Sequence, residues 1–256
     1  MKLTKQEIKR QQELINTINT KDKLTFEEID TFYKEFNEGW LQDVTATCLY
    51  CTPVELAYDI TLLSHFNSGV IVDVCAGLGV LTHAYATRCD YYNSNWENKI
   101  KFICIEKNSK LVELGKKLCP YAVWIEGDCF DPNIWNIIEN DYGNITHIIS
   151  NPPYNSMVKL TKEHKKELKY KGSKFQFALL EVCLHYTNNI TFVVPETDCE
   201  FTTNPYYQRR KNKDHDNLRK LTGINYHIEA LSLEIRCYPE FKNTKIPVNI
   251  YDVTLE

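Results

Sequence analysis

Residues 69–79 read GVIVDVCAGLG, a run of β-branched residues that ends in an aspartate and two closely spaced glycines. A short, continuous apolar run of this kind is typical of a strand that is buried on both faces. Glycines directly after such a strand allow a tight turn and let the backbone approach a nucleotide-like ligand. The segment 80–88 then carries a helical pattern. The stretch therefore predicts a strand, a ligand-binding turn and a helix.

The same alternation of strand and helix continues along the chain. Because continuous apolar strands alternate with helices, we expect an α/β, Rossmann-like fold with a mostly parallel sheet covered by helices on both faces. In such a sheet, ligands bind at the carboxyl ends of the strands. Two further strands are expected as an antiparallel pair at the sheet edge. The runs predicted as strands are 70–74, 101–105, 122–125, 147–149 and 190–194, then 229–238 and 247–254; the predicted helices are 80–88, 109–118, 132–140 and 174–186.

Two helices are expected ahead of the sheet. Residues 5–17 and 26–40 carry apolar positions at helical spacing, and Thr25 with Glu28 forms a capping-box pattern. The chain has 256 residues, enough for one α/β domain with a short addition. We therefore divide it into an N-terminal helical extension, 1–45, and a main domain, 46–256.

Composition limits the classes of function. A formal net charge of −4 argues against a uniformly basic, histone-like binder. No apolar run approaches the roughly 20 residues needed to span a bilayer, and the first residues lack the apolar core of a signal peptide. We expect no membrane contact and a cytoplasmic location, in the host cytoplasm if a virus or mobile element encodes the chain.

The cysteines do not follow a disulfide or metal pattern. Ten are present, most of them inside apolar runs, which favours reduced thiols in a cytosolic compartment. Cys48 and Cys51 are spaced like half of a zinc site, but a second closely spaced pair of ligands is not evident. We expect no metal.

Acidic residues follow the next two strands. Glu106 ends the second strand, where an acid can accept hydrogen bonds from both hydroxyls of a ribose. Asp128 follows the third strand and could accept from an adenine amino group. The glycine turn lacks the third glycine that usually accompanies a pyrophosphate. Together these residues predict a nucleoside-containing ligand without a pyrophosphate.

The fourth strand leads into Ser150-Asn-Pro-Pro-Tyr154. The two prolines stiffen the backbone and commit Asn151 to an extended conformation. The Asn151 side-chain oxygen and the Pro152 carbonyl can then point together into the crevice, and both are hydrogen-bond acceptors. The ring of Tyr154 offers a stacking surface for a planar substrate.

The glycine turn followed by this motif resembles the S-adenosylmethionine-dependent, N6-adenine-specific DNA methyltransferases. The resemblance covers residues 51–200 and includes Thr52-Pro53 upstream of the glycine turn. It implies a Rossmann-like methyltransferase fold, S-adenosylmethionine as cofactor and methylation of adenine in DNA. The same combination occurs in RNA adenine methyltransferases and in enzymes that methylate a protein glutamine amide.

The resemblance also implies roles for individual residues. Catalytic residues would be Asn151, Pro152, Pro153 and Tyr154, with the first two accepting the hydrogens of the target amino group. Cys75 and the long gap before Glu106 depart from the family pattern. The residues implied for the cofactor are Thr52, Pro53, Asp73, Ala76, Gly77 and Gly79 around the methionine part, Glu106 at the ribose, Asp128 and Cys129 at the adenine, and Asn151.

A target base in a duplex must be flipped out to reach such a site, so phosphate contacts are expected around it. Residues 155–177 contain seven lysines against two glutamates, and residues 207–220 contain six basic residues against two aspartates. We interpret both as basic loops and prefer DNA to RNA as partner. The nucleic-acid contacts we predict are Lys159, Lys162, Lys165, Lys166, Arg209, Arg210 and Lys211.

Several alternatives stay open at this point. Phe175, Phe177, Tyr206 and Tyr207 are candidates for the second wall of a base pocket, although core packing is favoured for the two phenylalanines. The acceptor could be RNA or a protein glutamine, or the chain could be an inactive partner subunit. A homo-oligomer or a dedicated partner subunit is compatible with the sequence.

Overall fold

A computed structural model of the chain describes residues 3–41, 51–62, 64, 66, 68–92, 95–153, 158–203, 209–232 and 248–255. The described strands form a seven-stranded sheet of order β3-β2-β1-β4-β5-β9-β8 and a separate pair, β6-β7. The strands are β1 Gly69–Val74, β2 Ile100–Glu106, β3 Val123–Glu126, β4 Ile145–Ser150, β5 Asn189–Pro195, β6 Phe201–Thr203, β7 Arg209–Lys211, β8 Tyr226–Ser232 and β9 Val248–Leu255.

The pairing confirms the predicted α/β, Rossmann-like architecture. Strands β1 to β5 are parallel, while β9 runs antiparallel to both β5 and β8. Strand β1 lies between β2 and β4. From β1 to β3 the chain adds strands in one direction across the sheet, and with β4 and β5 it adds them in the opposite direction. A ligand crevice is expected at this switch point, outside the carboxyl ends of the strands. The predicted edge strand 229–238 begins earlier, at Tyr226, and its last residues lie outside the described part.

Helices surround the sheet. None of those described has an apolar stretch long enough to cross a membrane. The helices are α1 Lys5–Thr20, α2 Phe26–Glu35, α3 Val54–Ile60, α4 Val80–Tyr92, α5 Ser109–Leu118, α6 Pro132–Tyr142, α7 Lys162–Glu167, α8 Phe175–Cys183 and α9 Lys213–Thr222.

The predicted helix 26–40 is wrong at its C-terminal end. Helix α2 stops at Glu35, and the backbone of Phe36 is extended (φ −60°, ψ 135°). Gln11 of α1 explains the stop, because its amide nitrogen donates to the Glu35 carbonyl (3.0 Å) while its oxygen accepts from the Asn37 N–H (2.9 Å). A side chain from another helix thus satisfies the backbone groups where α2 ends.

The two basic stretches are not simply loops, which corrects the expectation from sequence. Residues 162–167 and 213–222 form α7 and α9. Thr161 starts α7 by accepting from the His164 N–H, and Asn212 starts α9 by accepting from the Asp214 N–H. Helix α3 is also not predicted by the sequence, although it follows the Thr-Pro segment. Short helices of this kind have few turns over which an apolar period can show.

Apolar side chains fill both faces of the sheet. One buried cluster joins Phe102 and Ile71 of the sheet to Tyr85 of α4 and to Leu14 and Phe32 of the N-terminal helices. A second cluster covers the other face and centres on helices α6 and α8. The N-terminal helices therefore contribute to the core on one side of the sheet. The division at residues 45 and 46 stays a prediction.

Replacing Gly115 with alanine should destabilise the protein. A Cβ at Gly115 in α5 would overlap the Trp124 ring, and that ring is held in place because its indole N–H donates to the Cys119 carbonyl (3.2 Å). We expect a net loss of about 1–3 kcal/mol in the free energy of unfolding, because the overlap with the Trp124 ring costs more than the roughly 1 kcal/mol that alanine gains in helix propensity. Lys116→Ala, at an exposed position of the same helix, is the matched control in urea denaturation. Equal or greater stability of Gly115→Ala would contradict the packing argument.

Candidate active site

A cavity of about 540 Å³ lies at the carboxyl ends of strands β1 to β4. Most of the predicted site residues meet there, although they come from distant parts of the sequence. Pro53 and Gly79 do not line the cavity, and Tyr154 lies outside the described residues. The predicted residues that line it are Thr52, Asp73, Ala76, Gly77, Glu106, Asp128, Cys129, Asn151, Pro152, Pro153 and Lys159.

The turn between β1 and α4 forms the floor of the cavity. Its backbone has positive φ at Cys75 (59°), Gly77 (58°) and Gly79 (80°). A Cβ on Gly79 would come within 3.0–3.1 Å of the Trp124 ring and the Cys119 sulfur, so this glycine is needed for the turn and its packing. Gly77 is the one of the two that faces the cavity. Cys75 adopts a conformation that non-glycine residues seldom take, and its Sγ lies 3.9 Å from that of Cys129.

Asp73 ties this turn to the helix that follows. The residue is 1% exposed, and its Oδ2 accepts hydrogen bonds from the Thr82 N–H (3.2 Å) and hydroxyl (2.8 Å). Burial raises the pKa of Asp73 to about 7, against these hydrogen bonds, which lower it. The side chain thus satisfies a backbone N–H in the first turn of α4.

Glu106 is held by two backbone N–H groups. Oε2 accepts from Gly77 (2.9 Å) and Oε1 accepts from Asn108 (2.8 Å). Burial raises the pKa of this carboxyl group, and the backbone hydrogen bonds oppose that shift. Each carboxylate oxygen can accept a second hydrogen bond. The fixed carboxylate can therefore bind a pair of neighbouring hydroxyl groups in the cavity.

Asp128 is engaged by a different set of donors. Oδ1 accepts from the Phe130 N–H (3.1 Å), and Oδ2 accepts from Lys107 Nζ (2.8 Å) and lies 3.2 Å from His164 Nε2. Burial would raise the pKa of Asp128, but hydrogen bonds from Lys107 and Phe130 outweigh it and hold the pKa below its usual value. Asp128 is thus an ionised acceptor at the cavity wall.

The His164 ring closes the cavity beside Asp128. Its Nδ1 accepts from the Thr161 N–H (3.3 Å), so Nε2 carries the hydrogen and donates to Asp128. The ring stacks on Phe130 with centroids 4.6 Å apart. Sequence reasoning missed His164 and Lys107. Thr161, three residues before His164, is of a type that often begins a helix, but no local pattern indicates the contact with Asp128.

Asn151 follows β4 at the opposite side of the cavity. Its Nδ2 donates to the Thr52 hydroxyl (2.9 Å). The preceding residue, Ser150, donates its hydroxyl to the Val74 carbonyl and so ties the ends of β4 and β1 together. The Asn-Pro-Pro segment is thereby fixed next to the glycine turn. Its two prolines also line the cavity.

The residues predicted to contact nucleic acid lie in two places, near the cavity and in β7. Lys159 lines the cavity, and Lys162, Lys165 and Lys166 lie on α7 beside it. Within the described part of the chain, none of these four lysines forms an ion pair with an acidic side chain. Lys211 pairs with Asp216 (2.5 Å). Arg209 and Arg210 lie in β7, and their side chains are outside what the structure describes.

The aromatic residues considered for the second wall of a base pocket differ in where they lie. Phe175 lines the cavity and meets Phe130 edge-on, with centroids 5.2 Å apart. Phe177 is 2% exposed and packs in the core, as favoured from the sequence. Tyr206 and Tyr207 fall outside the described residues.

The cysteines and acids do not assemble a metal site among the described residues, where no three side chains of ligand type come together. The eight cysteines in that part of the chain form no disulfide. Of the Cys48 and Cys51 pair, Cys48 lies outside the described residues.

The N-terminal helices also reach the glycine turn, which the sequence did not predict. The Tyr33 hydroxyl of α2 donates to the Leu78 carbonyl (3.0 Å), and the Cys119 thiol donates to the Gly79 carbonyl (3.4 Å). Tyr33 is 8% exposed. Two carbonyls of the turn are thus held by side chains from other segments of the chain.

Comparison with known proteins shows the fold. No family model and no curated protein sequence matches the chain. The structure is similar to a protein from Listeria monocytogenes assigned to the class I S-adenosylmethionine-dependent methyltransferases, with a TM-score of 0.57, 13% identity and 97% of this chain and 67% of that chain covered.

Two other similar structures belong to restriction systems. One is a type I restriction-modification methyltransferase subunit from Streptococcus thermophilus, with a TM-score of 0.58, 18% identity and 81% of this chain and 45% of that chain covered. The other is the M protein of the type I restriction enzyme EcoKI, with a TM-score of 0.58, 13% identity and 98% and 55% covered. The chain thus spans about half the length of these two proteins. The Rossmann-like fold of class I methyltransferases, expected from the sequence, is confirmed.

The buried Asp73 carboxyl should make stability depend on pH. Its pKa is raised from 3.8 to about 7 in the folded state, so the folded protein binds the Asp73 proton more tightly than the unfolded chain does. The resulting contribution to the free energy of unfolding is fully present below about pH 4 and is lost as the pH rises through about 7. The free energy of unfolding of the wild type, minus that of Asp73→Asn, should therefore fall over this range in urea denaturation series. Asp90→Asn, on the exposed face of α4, is the control. Parallel pH profiles for wild type and Asp73→Asn would refute the assignment.

Proposed function

We propose that the chain is an S-adenosylmethionine-dependent methyltransferase that methylates the exocyclic N6 amino group of adenine in DNA. One observation carries the proposal: Asn151, Pro152 and Pro153 line the same cavity as the glycine turn and the two strand-end acids Glu106 and Asp128. On this proposal, the cofactor and the acceptor amino group would be bound in the same cavity.

The residues around the cavity fit this cofactor. Burial raises the pKa of Asp73 to about 7, and a cationic ligand near this carboxyl group would favour its ionised form. S-Adenosylmethionine carries a sulfonium and an ammonium group. We place its methionine part near Thr52, Pro53, Asp73 and the turn residues Ala76, Gly77 and Gly79.

The nucleoside part would lie against the ends of β2 and β3. Glu106 would accept from both ribose hydroxyls, since each of its oxygens has a remaining acceptor position. Asp128 and Cys129 would lie at the adenine, where the carboxylate accepts from the amino group. When bound, the cofactor supplies an electrophilic methyl group on sulfur.

The acceptor amino group would be held by Asn151 and Pro152. An aromatic amine is a poor nucleophile because its lone pair is delocalised into the ring. Two oxygen acceptors, Oδ1 of Asn151 and the Pro152 carbonyl, would bind its two hydrogens and localise that pair on nitrogen. Positioning and hydrogen bonding then supply most of the rate acceleration. Pro153 keeps the segment rigid, and Tyr154 would stack on the target base.

A nucleic-acid acceptor is supported by charge. The lysines on α7 and Lys159 lie at one rim of the cavity, where they can neutralise phosphates next to a flipped base. Arg209, Arg210 and Lys211 would extend this contact. The two structural neighbours from restriction systems support DNA as the partner and a role beside other subunits. A second copy of the chain is the alternative partner.

The acceptor is tested directly by radiolabel transfer. The purified chain and methyl-labelled S-adenosylmethionine are incubated separately with duplex DNA, single-stranded DNA, total RNA and a protein extract. We expect N6-methyladenine in digested DNA. Label found only in RNA adenine or in protein glutamine would move the acceptor assignment to those substrates, and transfer to none would indicate an inactive partner subunit.

Asn151→Ala should nearly abolish transfer. Because it removes one of the two acceptors for the amino hydrogens, we expect a fall in kcat of roughly 100-fold to 1,000-fold, the range seen when one stabilising hydrogen-bonding group is removed from an active site. Asn140→Ala, at an exposed position of α6, is the matched control in single-turnover assays. Transfer by Asn151→Ala at the wild-type rate would overturn the catalytic assignment.

Removing two lysines from α7 should weaken DNA binding without changing cofactor binding. For Lys162→Ala/Lys166→Ala we expect the slope of log K against log salt for duplex DNA to shrink by about 1.8, because each phosphate that is no longer neutralised lowers the slope by about 0.9. Lys110→Ala/Lys116→Ala makes the same change of charge at exposed positions of α5. Equal salt slopes for the two double variants would remove α7 from the DNA interface.

A further inference from the structure

The hydrogen bond between Thr52 and Asn151 carries one inference beyond the roles given so far. We propose that Thr52 is a positioning residue, whose hydroxyl holds the Asn151 amide so that Oδ1 is presented to the acceptor amino group. The inference rests on the proposed function for its chemical meaning. It adds a second role to the one that the sequence resemblance implies for Thr52, which is contact with the methionine part of the cofactor.

The contact joins two segments that are 99 residues apart in the chain. The Thr52 hydroxyl oxygen accepts from Asn151 Nδ2 at 2.9 Å, and Thr52 is 7% exposed. An asparagine amide has a donor end and an acceptor end on a torsion with two broad preferences. Fixing Nδ2 therefore fixes the direction of Oδ1.

The direction of the amide matters for an amino-group acceptor. The amino hydrogens need a hydrogen-bond acceptor, and Oδ1 provides one. If the amide were rotated by half a turn, Nδ2 would face the amino group, and two hydrogen-bond donors would oppose each other. An amide that rotates freely would spend part of its time in that unproductive orientation. The hydrogen bond to Thr52 holds Nδ2 away from the amino group that is to be methylated. The amide is then in the productive orientation before the substrate binds.

Thr52 has no competing role as a helix cap. A threonine just ahead of a helix usually caps it with its side chain, but the N-cap of α3 is Pro53, and no side chain makes a capping hydrogen bond there. The proline ring also restricts Thr52 to extended backbone. Leu56 and Ala57 of α3 are fully buried in the core, so the helix anchors the hydroxyl rigidly.

Thr52→Val and Thr52→Ser separate this role from cofactor binding and from packing. Valine keeps the shape without the hydroxyl, and serine keeps the hydroxyl. We expect Thr52→Val to lower kcat roughly 10-fold to 100-fold, as for a small misplacement of a reacting group, and Thr52→Ser to restore most of the activity. The Kd for S-adenosylmethionine, measured by calorimetry, should rise by a much smaller factor than kcat falls, because valine keeps the shape of Thr52 beside the cofactor and removes only the hydroxyl that holds Asn151.

A double variant tests whether Thr52 acts through Asn151. In an Asn151→Ala background, Thr52→Val should lower the single-turnover rate no further, since residues that act as a unit are not additive. Three results would overturn the inference: a Kd that rises in step with the fall in rate, Thr52→Ser as impaired as Thr52→Val, or an equal loss from Thr52→Val with and without Asn151.

A readout without activity distinguishes failure of this inference from failure of the proposed function. The side-chain amide signals of Asn151, assigned in ¹⁵N NMR spectra by their absence in Asn151→Ala, should show hydrogen exchange that speeds up in Thr52→Val and stays at the wild-type rate in Thr52→Ser. Unchanged exchange in Thr52→Val would refute the inference. If wild type methylates none of the four acceptors while exchange behaves as expected, the proposed function fails and the positioning contact stands.

Discussion

The site depends on the hydrogen bonds that a buried aspartate makes across the first strand-to-helix turn. Asp73 at the end of β1 accepts from both the backbone and the side chain of Thr82 in the first turn of α4. The carboxylate keeps α4 against the strand while the chain between them passes through three residues with positive φ. If this tie were absent, the Gly77 N–H would not be fixed where Glu106 accepts it. The hydrogen bond from Gly77 thus couples the Glu106 carboxylate to the geometry of the turn.

The other cavity groups are held in the same way, by partners from distant segments. Oδ2 of Asp128 has two donors, Lys107 Nζ and His164 Nε2. An amino group arriving at Asp128 would use the second acceptor position of Oδ1 or replace one donor at Oδ2. Lys107 has a side chain that is 72% exposed and can return to solvent at little cost. His164 is fixed by Thr161 and Phe130, so the exposed lysine is the donor that gives way.

The sequence predicted what depends on local pattern. Strands β1 to β5 are continuous apolar runs, and their parallel pairing follows from the helices between them, so the cavity at their carboxyl ends could be located. Glu106, Asp128 and Asn151 could be named because each follows such a run within three residues. The end of α2 could not be predicted, since it depends on Gln11, which is 24 residues from Glu35 and 26 from Asn37. The contacts of His164 with Asp128 and of Thr52 with Asn151 span 36 and 99 residues and leave no local signal.

The N-terminal helices show how a segment without chemical motifs can still determine the site. Their apolar pattern alone is compatible with a segment that packs beside the main domain or with a lid over the cavity. Yet Leu14 and Phe32 share a buried cluster with Leu78 of the glycine turn, and Tyr33 donates to the Leu78 carbonyl. A lid must open and close at small cost, whereas removing these side chains would expose a large part of one core. The packing therefore favours a fixed support for the turn over a moving cover.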